Sequence, residues 1–219
     1  MNGMDIGGEA RLEIDKIQTM PVSRENSSRD MATGNLLLTG LPAAGKSTIG
    51  RLTAQVLGLG FIDLDEWIET QAGESVSDIF RKFGEDGFRK IEEKAIHQLK
   101  SVRNHVIALG SGAIESDSNW FALQRMGAIG FLDTPLGLLS GRLARSAKEL
   151  ERRPLFKDLI VIEMHEERSR KVLQVLEDLW ERRSQRFLGA DVLVLNGFGT
   201  PEFVAQSLAR ELRAFWQKS

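Results

Sequence analysis

The chain has 219 residues, 42% of them hydrophobic and 27% charged, with a formal net charge of −2 and no cysteine. That is enough apolar content for one core of ordinary size, and the near-neutral balance predicts neither nucleic acid nor an anionic membrane as a partner. Disulfides, thiolate chemistry and sulfur-ligated zinc are excluded. No apolar run has the length of a membrane span, and the first residues lack a basic-then-apolar signal pattern, so the expected location is cytoplasmic.

Residues 1–33 are rich in Gly, Ser, Asn and charge, with scattered apolar positions, which is the composition of a disordered extension. A short helix from Glu9 to Gln18 is compatible with Leu12, Ile14 and Ile17, and Met20 and Met31 are alternative starts for the functional domain. From Asn35 the pattern changes. Leu36 to Thr39 reads as a strand that runs into Gly40, Leu41, Pro42, Ala43, Ala44, Gly45, Lys46, Ser47 and Thr48, and a helical pattern follows with Ile49, Leu52 and Val56 on one side. This is G-x-x-x-x-G-K-[ST] in its required setting, a strand before and a helix after. Gly40 and Gly45 let successive N–H groups converge on a polyphosphate. The helix N-terminus adds its positive dipole end, Lys46 reaches the β- and γ-phosphates, and the Ser47 hydroxyl holds Mg²⁺. The segment is a nucleoside-triphosphate site.

Gly58 is placed to end the first helix. A strand follows at Leu59 to Ile62, then Asp63-Leu64-Asp65, a helical stretch from Glu66 to Gln71, and Gly73 as its stop. Ser75 and Asp78 read as a capping box for a helix through Phe83, which Gly84 and Gly87 break. Phe88, Ile91, Ala95 and Leu99 mark a further helix, and Val106 to Leu109 a buried strand closed by Gly110-Ser111-Gly112. Asn119 to Met126 is helical and Ala128 to Leu132 a fourth strand. Leu136, Leu139, Leu143, Ala147 and Leu150 then recur at helical spacing. Residues 151–168 are irregular and charged; Val172, Val175, Leu176 and Leu179 return to helix, and Val192 to Leu195 is a fifth strand. Thr200 and Pro201 open a last helix whose buried face is Val204, Leu208, Leu212 and Phe215. Strands alternating with helices argue for an α/β fold, a parallel sheet covered on both faces with ligands at the carboxyl ends of its strands. The chemistry is therefore expected in the loops at 40–47, 63–65, 110–112 and 133–135.

Three features bear on the second substrate. Asp63 and Asp65 occupy alternate positions of an extended segment, so both carboxylates are expected to face the γ-phosphate, one for Mg²⁺ and one as proton acceptor; a pair of capping aspartates is the competing reading. Arg89 has Glu92 as its helical neighbour, either as an exposed ion pair or as a clamp that presents the guanidinium to a carboxylate. Arg152-Arg153-Pro154-Leu155 lies in the irregular segment, ahead of Arg182-Arg183. It is either a solvated loop or a lid whose arginine stabilises charge on the phosphoryl in flight.

GLPAAGKSTIGR, FIDLDEWIE, DIFRKFGEDGFRKIEE, IALGSGAI and RRPL, in that order and at matching intervals, resemble the shikimate kinase family over residues 36 to about 195. The resemblance implies a five-stranded parallel sheet flanked by helices on both faces, of the nucleoside-monophosphate-kinase-like P-loop type, in a single domain over 34–219. The acceptor-binding part would lie at about 64–100 and the lid at about 148–168. It implies transfer of the ATP γ-phosphoryl to the 3-hydroxyl of shikimate by a monomer. Asp65, Lys46 and Arg153 would then be catalytic, with residues 40–48, Arg145 and Arg153 holding ATP, and Arg145 stacking on adenine. Asp65, Arg89, Gly110, Ser111, Gly112 and Arg183 would hold shikimate, and Ser47 and Asp63 the metal. Three departures from the family pattern stand out. Ser111 replaces the middle glycine of three. The segment between Arg153 and Arg182 is longer. The R-x-P-L-Y motif is reduced to Arg183 with Phe187 at the aromatic position, Arg182 being the alternative. These leave room for a kinase acting on a related hydroxy acid or cyclitol, or for a non-catalytic relative that senses the ligand.

Overall fold

Five short apolar runs form the sheet: β1 (Asn35–Thr39), β2 (Gly60–Asp63), β3 (His105–Ala108), β4 (Gly127–Asp133) and β5 (Val192–Leu195). In the computed structural model of the chain, the described residues are 34–218 without Arg152 and Phe198; the first 33 residues, read above as a disordered extension, lie outside them. All five strands pair in parallel, in the order β2-β3-β1-β4-β5. Leu36, Leu37 and Leu38 of β1 are all fully buried, as a central parallel strand covered on both faces requires. At the amino end of β1 the buried Asn35 side chain donates to Val102 O (2.8 Å) and Met126 O (3.0 Å) and accepts from His105 N, tying the entries into β3 and β4 to one residue.

The helices are α1 (Lys46–Leu57), α2 (Leu64–Ala72), α3 (Val76–Gln98), α4 (Asp117–Met126), α5 (Leu136–Ala144), α6 (Ala147–Glu151), α7 (His165–Leu188) and α8 (Pro201–Trp216). The step from β1 to β2 runs one way along the sheet and the later crossovers run the other way, so right-handed connections put α1 on one face and α3, α4 and α7 on the opposite one. Adjacent residues of β4 record this. Gly130 backs onto Leu208 of α8, whereas the Phe131 ring stacks on Phe187 of α7 with centroids 4.5 Å apart. Helix α8 packs beside α1 and closes the first face.

Most caps expected from sequence are present. Gly58 and Gly73 end α1 and α2 in the left-handed conformation, at φ 69° and 68°, and Ser75 and Thr200 cap α3 and α8. Three expectations are corrected. Gly87 does not interrupt α3, which runs through it and kinks only at Gly84 (φ 68°, ψ −174°). The helical spacing from Leu136 to Leu150 belongs to two helices, because Ser146 intervenes and accepts from Glu149 N to cap α6. The irregular segment is shorter than 151–168: residues 154–159 form a 3₁₀ turn anchored by the fully buried Phe156, and α7 begins at His165.

Candidate active site

Because every strand runs the same way, the turns after β1, β2, β3 and β4 open on one edge of the sheet. The turn after β1 has Gly45 at φ 86° and Ala43 at φ 63°, and a Cβ on Gly40 would stand 3.1 Å from Leu132 O. Its backbone N–H groups and the start of α1 form the anion cradle expected of such a loop. Lys46 folds back across it and donates to Gly40 O (3.0 Å) and Leu41 O (3.2 Å). Burial pulls its ammonium down to about 8, against the opposing charge of Asp65. Two residues with no motif to announce them brace the loop from outside. Asn196, just past β5, donates to Ala44 O (2.5 Å) and Thr134 Oγ1 (3.1 Å). Arg142 of α5 donates to Ala43 O (3.2 Å). Only the position of Asn196 at the carboxyl end of a strand could have drawn attention to it.

Asp63 and Asp65 are not alternate residues of one extended segment. Asp63 ends β2 and caps α2, its Oδ1 accepting from Asp65 N (3.0 Å) and Glu66 N (3.4 Å), so Asp65 sits in the first helical turn. The capping and functional readings of Asp63 coexist, because its second oxygen, Oδ2, accepts from the Ser47 hydroxyl at 2.5 Å. Asp65 is brought toward Lys46 from the other side. Burial raises its carboxyl to about 6, the Asp63 charge adds to the rise, and Lys46 opposes it. Among the described residues no group of three His, Cys, Asp or Glu side chains could hold a metal ion. The Ser47–Asp63 pair supplies two oxygens, a donor set that fits Mg²⁺ completed by phosphate oxygens and water.

The acceptor side is built on α3 and the turn after β3. Arg89 donates to Glu92 Oε2 (2.8 Å) and to Glu85 Oε1 (3.1 Å). Glu92 is fully buried, and burial raises its carboxyl to about 7 against the pull of Arg89. Arg89–Glu92 is therefore a clamp rather than a surface pair. Gly110 and Gly112 pack directly against this group. A Cβ on Gly110 would stand 2.7 Å from Glu92 Oε1 and 3.0 Å from Asp65 Oδ1, and one on Gly112 would collide with the Arg89 guanidinium. Ser111 lies between them without a positive φ, so its backbone needs no glycine. Of the neighbouring arginines on α7, Arg182 is exposed and Arg183 is buried. Arg183 Nε donates to Glu115, and burial lowers its pKa below the ordinary guanidinium range.

Arg153 Nη1 donates to Glu149 O (2.8 Å) and to the Glu149 carboxylate, and its charge reaches both Lys46 and Asp65. The structure thus gathers Lys46, Ser47, Asp63, Asp65, Arg89, Gly110, Gly112, Arg153 and Arg183 into one neighbourhood linked by contacts and charge. Arg145 is exposed at the end of α5, one turn beyond the Arg142 that touches the loop. A carboxylate of raised pKa beside a phosphate cradle, with two arginines behind it, can receive a hydroxyl proton while a carboxylate-bearing acceptor is held.

A family model described as shikimate kinase matches residues 42–213. A shikimate kinase of Thermodesulfovibrio yellowstonii is 36% identical over 177 residues, covering 81% of this chain and 94% of the relative. One of Synechococcus elongatus is 34% identical, covering 80% and 84%. Among solved structures, shikimate kinase from Acinetobacter baumannii in complex with shikimate superposes with a TM-score of 0.71 at 32% identity, over 81% of this chain and 91% of that one. Shikimate kinase from Aquifex aeolicus gives 0.64 at 28% identity, over 82% and 96%.

Proposed function

The chain belongs to the shikimate kinase family, and from that membership we propose that it transfers the γ-phosphoryl group of ATP to the 3-hydroxyl of shikimate. It is an enzyme, a phosphotransferase with an alcohol acceptor. The observation that carries the reading is the half-buried Asp65 carboxylate between the phosphate-loop lysine and the Arg89–Glu92 clamp. In this reading the loop from Gly40 to Thr48 holds the triphosphate and Lys46 exchanges the Gly40 and Leu41 carbonyls for phosphate oxygens. Ser47 and Asp63 hold Mg²⁺, which when bound neutralises charge on the phosphate oxygens.

Arg89 and Arg183 take the acceptor carboxylate, and the backbone from Gly110 to Gly112 meets the ring. Asp65 orients the 3-hydroxyl in line and accepts its proton, while Arg153 from the lid neutralises charge on the phosphoryl in flight. Arg145 lies against adenine. Residues 64–100 form the acceptor-binding part and 148–168 the lid of one domain spanning 34–219. In this reading the chain acts as a monomer. No helix among the described residues is long and apolar enough to cross a membrane, and the cytoplasm is the proposed location.

The test is shikimate-dependent ADP release with and without Mg²⁺, with gluconate as the competing acceptor. Conversion of Asp65→Asn is expected to lower turnover by roughly 10²–10⁴-fold with ATP binding retained. Retained turnover would exclude Asp65 as the base, and a preference for gluconate would overturn the acceptor.

A further inference from the structure

Two acidic residues that follow the glycine turn grip two arginines of α7. Glu115 accepts from Arg183 Nε, and Asp117 accepts from the Arg186 guanidinium, which also lies 5.1 Å over the Trp120 ring. The two pairs differ in surroundings. Asp117 is 83% exposed, so the outer pair is a solvated surface contact of little weight. Arg183 is 1% exposed and Glu115 28%, so the inner pair is largely shielded from water.

A guanidinium offers five donors in a rigid plane. Glu115 takes the Nε edge of Arg183, while Nη1 is buried without a partner among the described residues. An empty buried donor is costly and calls for an acceptor. Glu92 Oε1, on α3, is buried and equally unpartnered, and it feels the Arg183 charge. Were the plane of Arg183 free to turn, Arg183 and Glu92 could satisfy each other, and the acceptor site would lose one of its two positive charges. Glu115 prevents that turn. Its position follows from the same chain segment that shapes the Arg89 side: Glu115 N donates to Gly112 O at 3.0 Å, and Gly112 is the residue backed against Arg89. One turn therefore sets both guanidinium groups.

We propose that Glu115 is a positioning residue for the acceptor, holding the Nε edge of Arg183 so that its unpartnered Nη1 meets the acceptor carboxylate beside Arg89. This rests on the reading of the site as a shikimate site. No sequence motif marks Glu115, and its effect is exerted through Arg183 rather than on substrate.

The test uses the full chain and measures KM for shikimate, KM for ATP, kcat and the melting temperature for Glu115→Ala, Glu115→Gln and Asp117→Asn. Loss of a hydrogen bond between charged groups is expected to raise KM for shikimate about tenfold in Glu115→Ala. Glutamine keeps an acceptor oxygen for Nε, so Glu115→Gln is expected to recover most of the loss, to within about threefold of the parent. In both variants kcat and KM for ATP stay near the parent values; melting falls in Glu115→Ala, where the buried Arg183 loses its partner, and less in Glu115→Gln, and Asp117→Asn changes none of the four. Glu115→Gln also serves if the alanine variant does not fold. A KM for shikimate that is unchanged or lower in the Glu115 variants overturns the proposal, because Glu115 would then act only as a repelling charge or not at all. Parallel loss in all four quantities also overturns it, by reducing Glu115 to a structural contact. Absence of shikimate-dependent turnover in the parent chain instead overturns the functional reading itself.

Discussion

Gly112 has no room for a side chain because the Arg89 guanidinium occupies the space its Cβ would need, whereas Ser111 sits in ordinary backbone space. Gly112→Ala should therefore displace Arg89 and raise KM for shikimate by roughly ten- to a hundredfold, the range for a lost contact between charged groups. Ser111→Gly should leave it within about twofold, since no backbone strain is relieved; steady-state kinetics on the two variants decides. The pH profile follows from two other residues. Asp65 must be ionised to accept a proton, and its carboxyl titrates at about 6, so kcat/KM should fall as pH drops below that value. Lys46 must be charged, and its ammonium titrates at about 8, so kcat/KM should fall again above it. In kcat the alkaline limb should move higher, because bound triphosphate favours the charged lysine. Replacement of Asp65 by Asn should remove the acid limb together with turnover. The residues of the phosphate loop were legible in the sequence because their spacing is itself the chemistry. Arg183 and Arg182 were not separable, since adjacent helical residues differ only in which face the tertiary fold buries.

Within α3, Gly84 adopts φ 68° and ψ −174°, backbone space closed to other residues, with nothing within 4 Å of where a Cβ would lie. Gly84→Ala should consequently act through backbone strain alone, at about 1–3 kcal/mol. A chain of this size then melts about 2–4 °C lower per kcal/mol, readable by circular dichroism. The element boundaries set by local chemistry were legible: Gly58, Gly73, Ser75 and Thr200 cap where their side chains or left-handed backbone can reach the helix ends. The merging of two expected helices into a kinked α3 was not, because Gly87 is tolerated in a helix whose neighbours hold it in place. Nor was the break at Ser146, where the apolar spacing of α5 and α6 remains in phase across two separate helices. Asp63 misled for a related reason: a residue at a strand's end that also caps the next helix forces Asp65 out of the extended run.

At the scale of the whole molecule, the parallel sheet brings four turns, and Asn196 beyond β5, to one edge, while Asn35 secures the other. Alternation of strand and helix made the layered fold legible, but the order β2-β3-β1-β4-β5 depends on pairings between strands that are distant in sequence. For the same reason the bracing of Ala44 by Asn196, 152 positions away, had no sequence signal. Since among the described residues no cluster of three candidate ligands exists for a cation, chelation by EDTA should abolish turnover yet leave melting of the ligand-free chain unchanged. A metal-dependent fold would instead melt early. The Trp120–Arg186 contact has a spectroscopic consequence. With four tryptophans and no tyrosine, all ultraviolet-excited emission above the phenylalanine band comes from indoles, and one of them lies under a cation carried by the helix that also holds Arg183. Any rearrangement of that helix against the glycine turn when acceptor enters would alter the field on that indole, and tryptophan emission titrated with shikimate is the measurement that would register it.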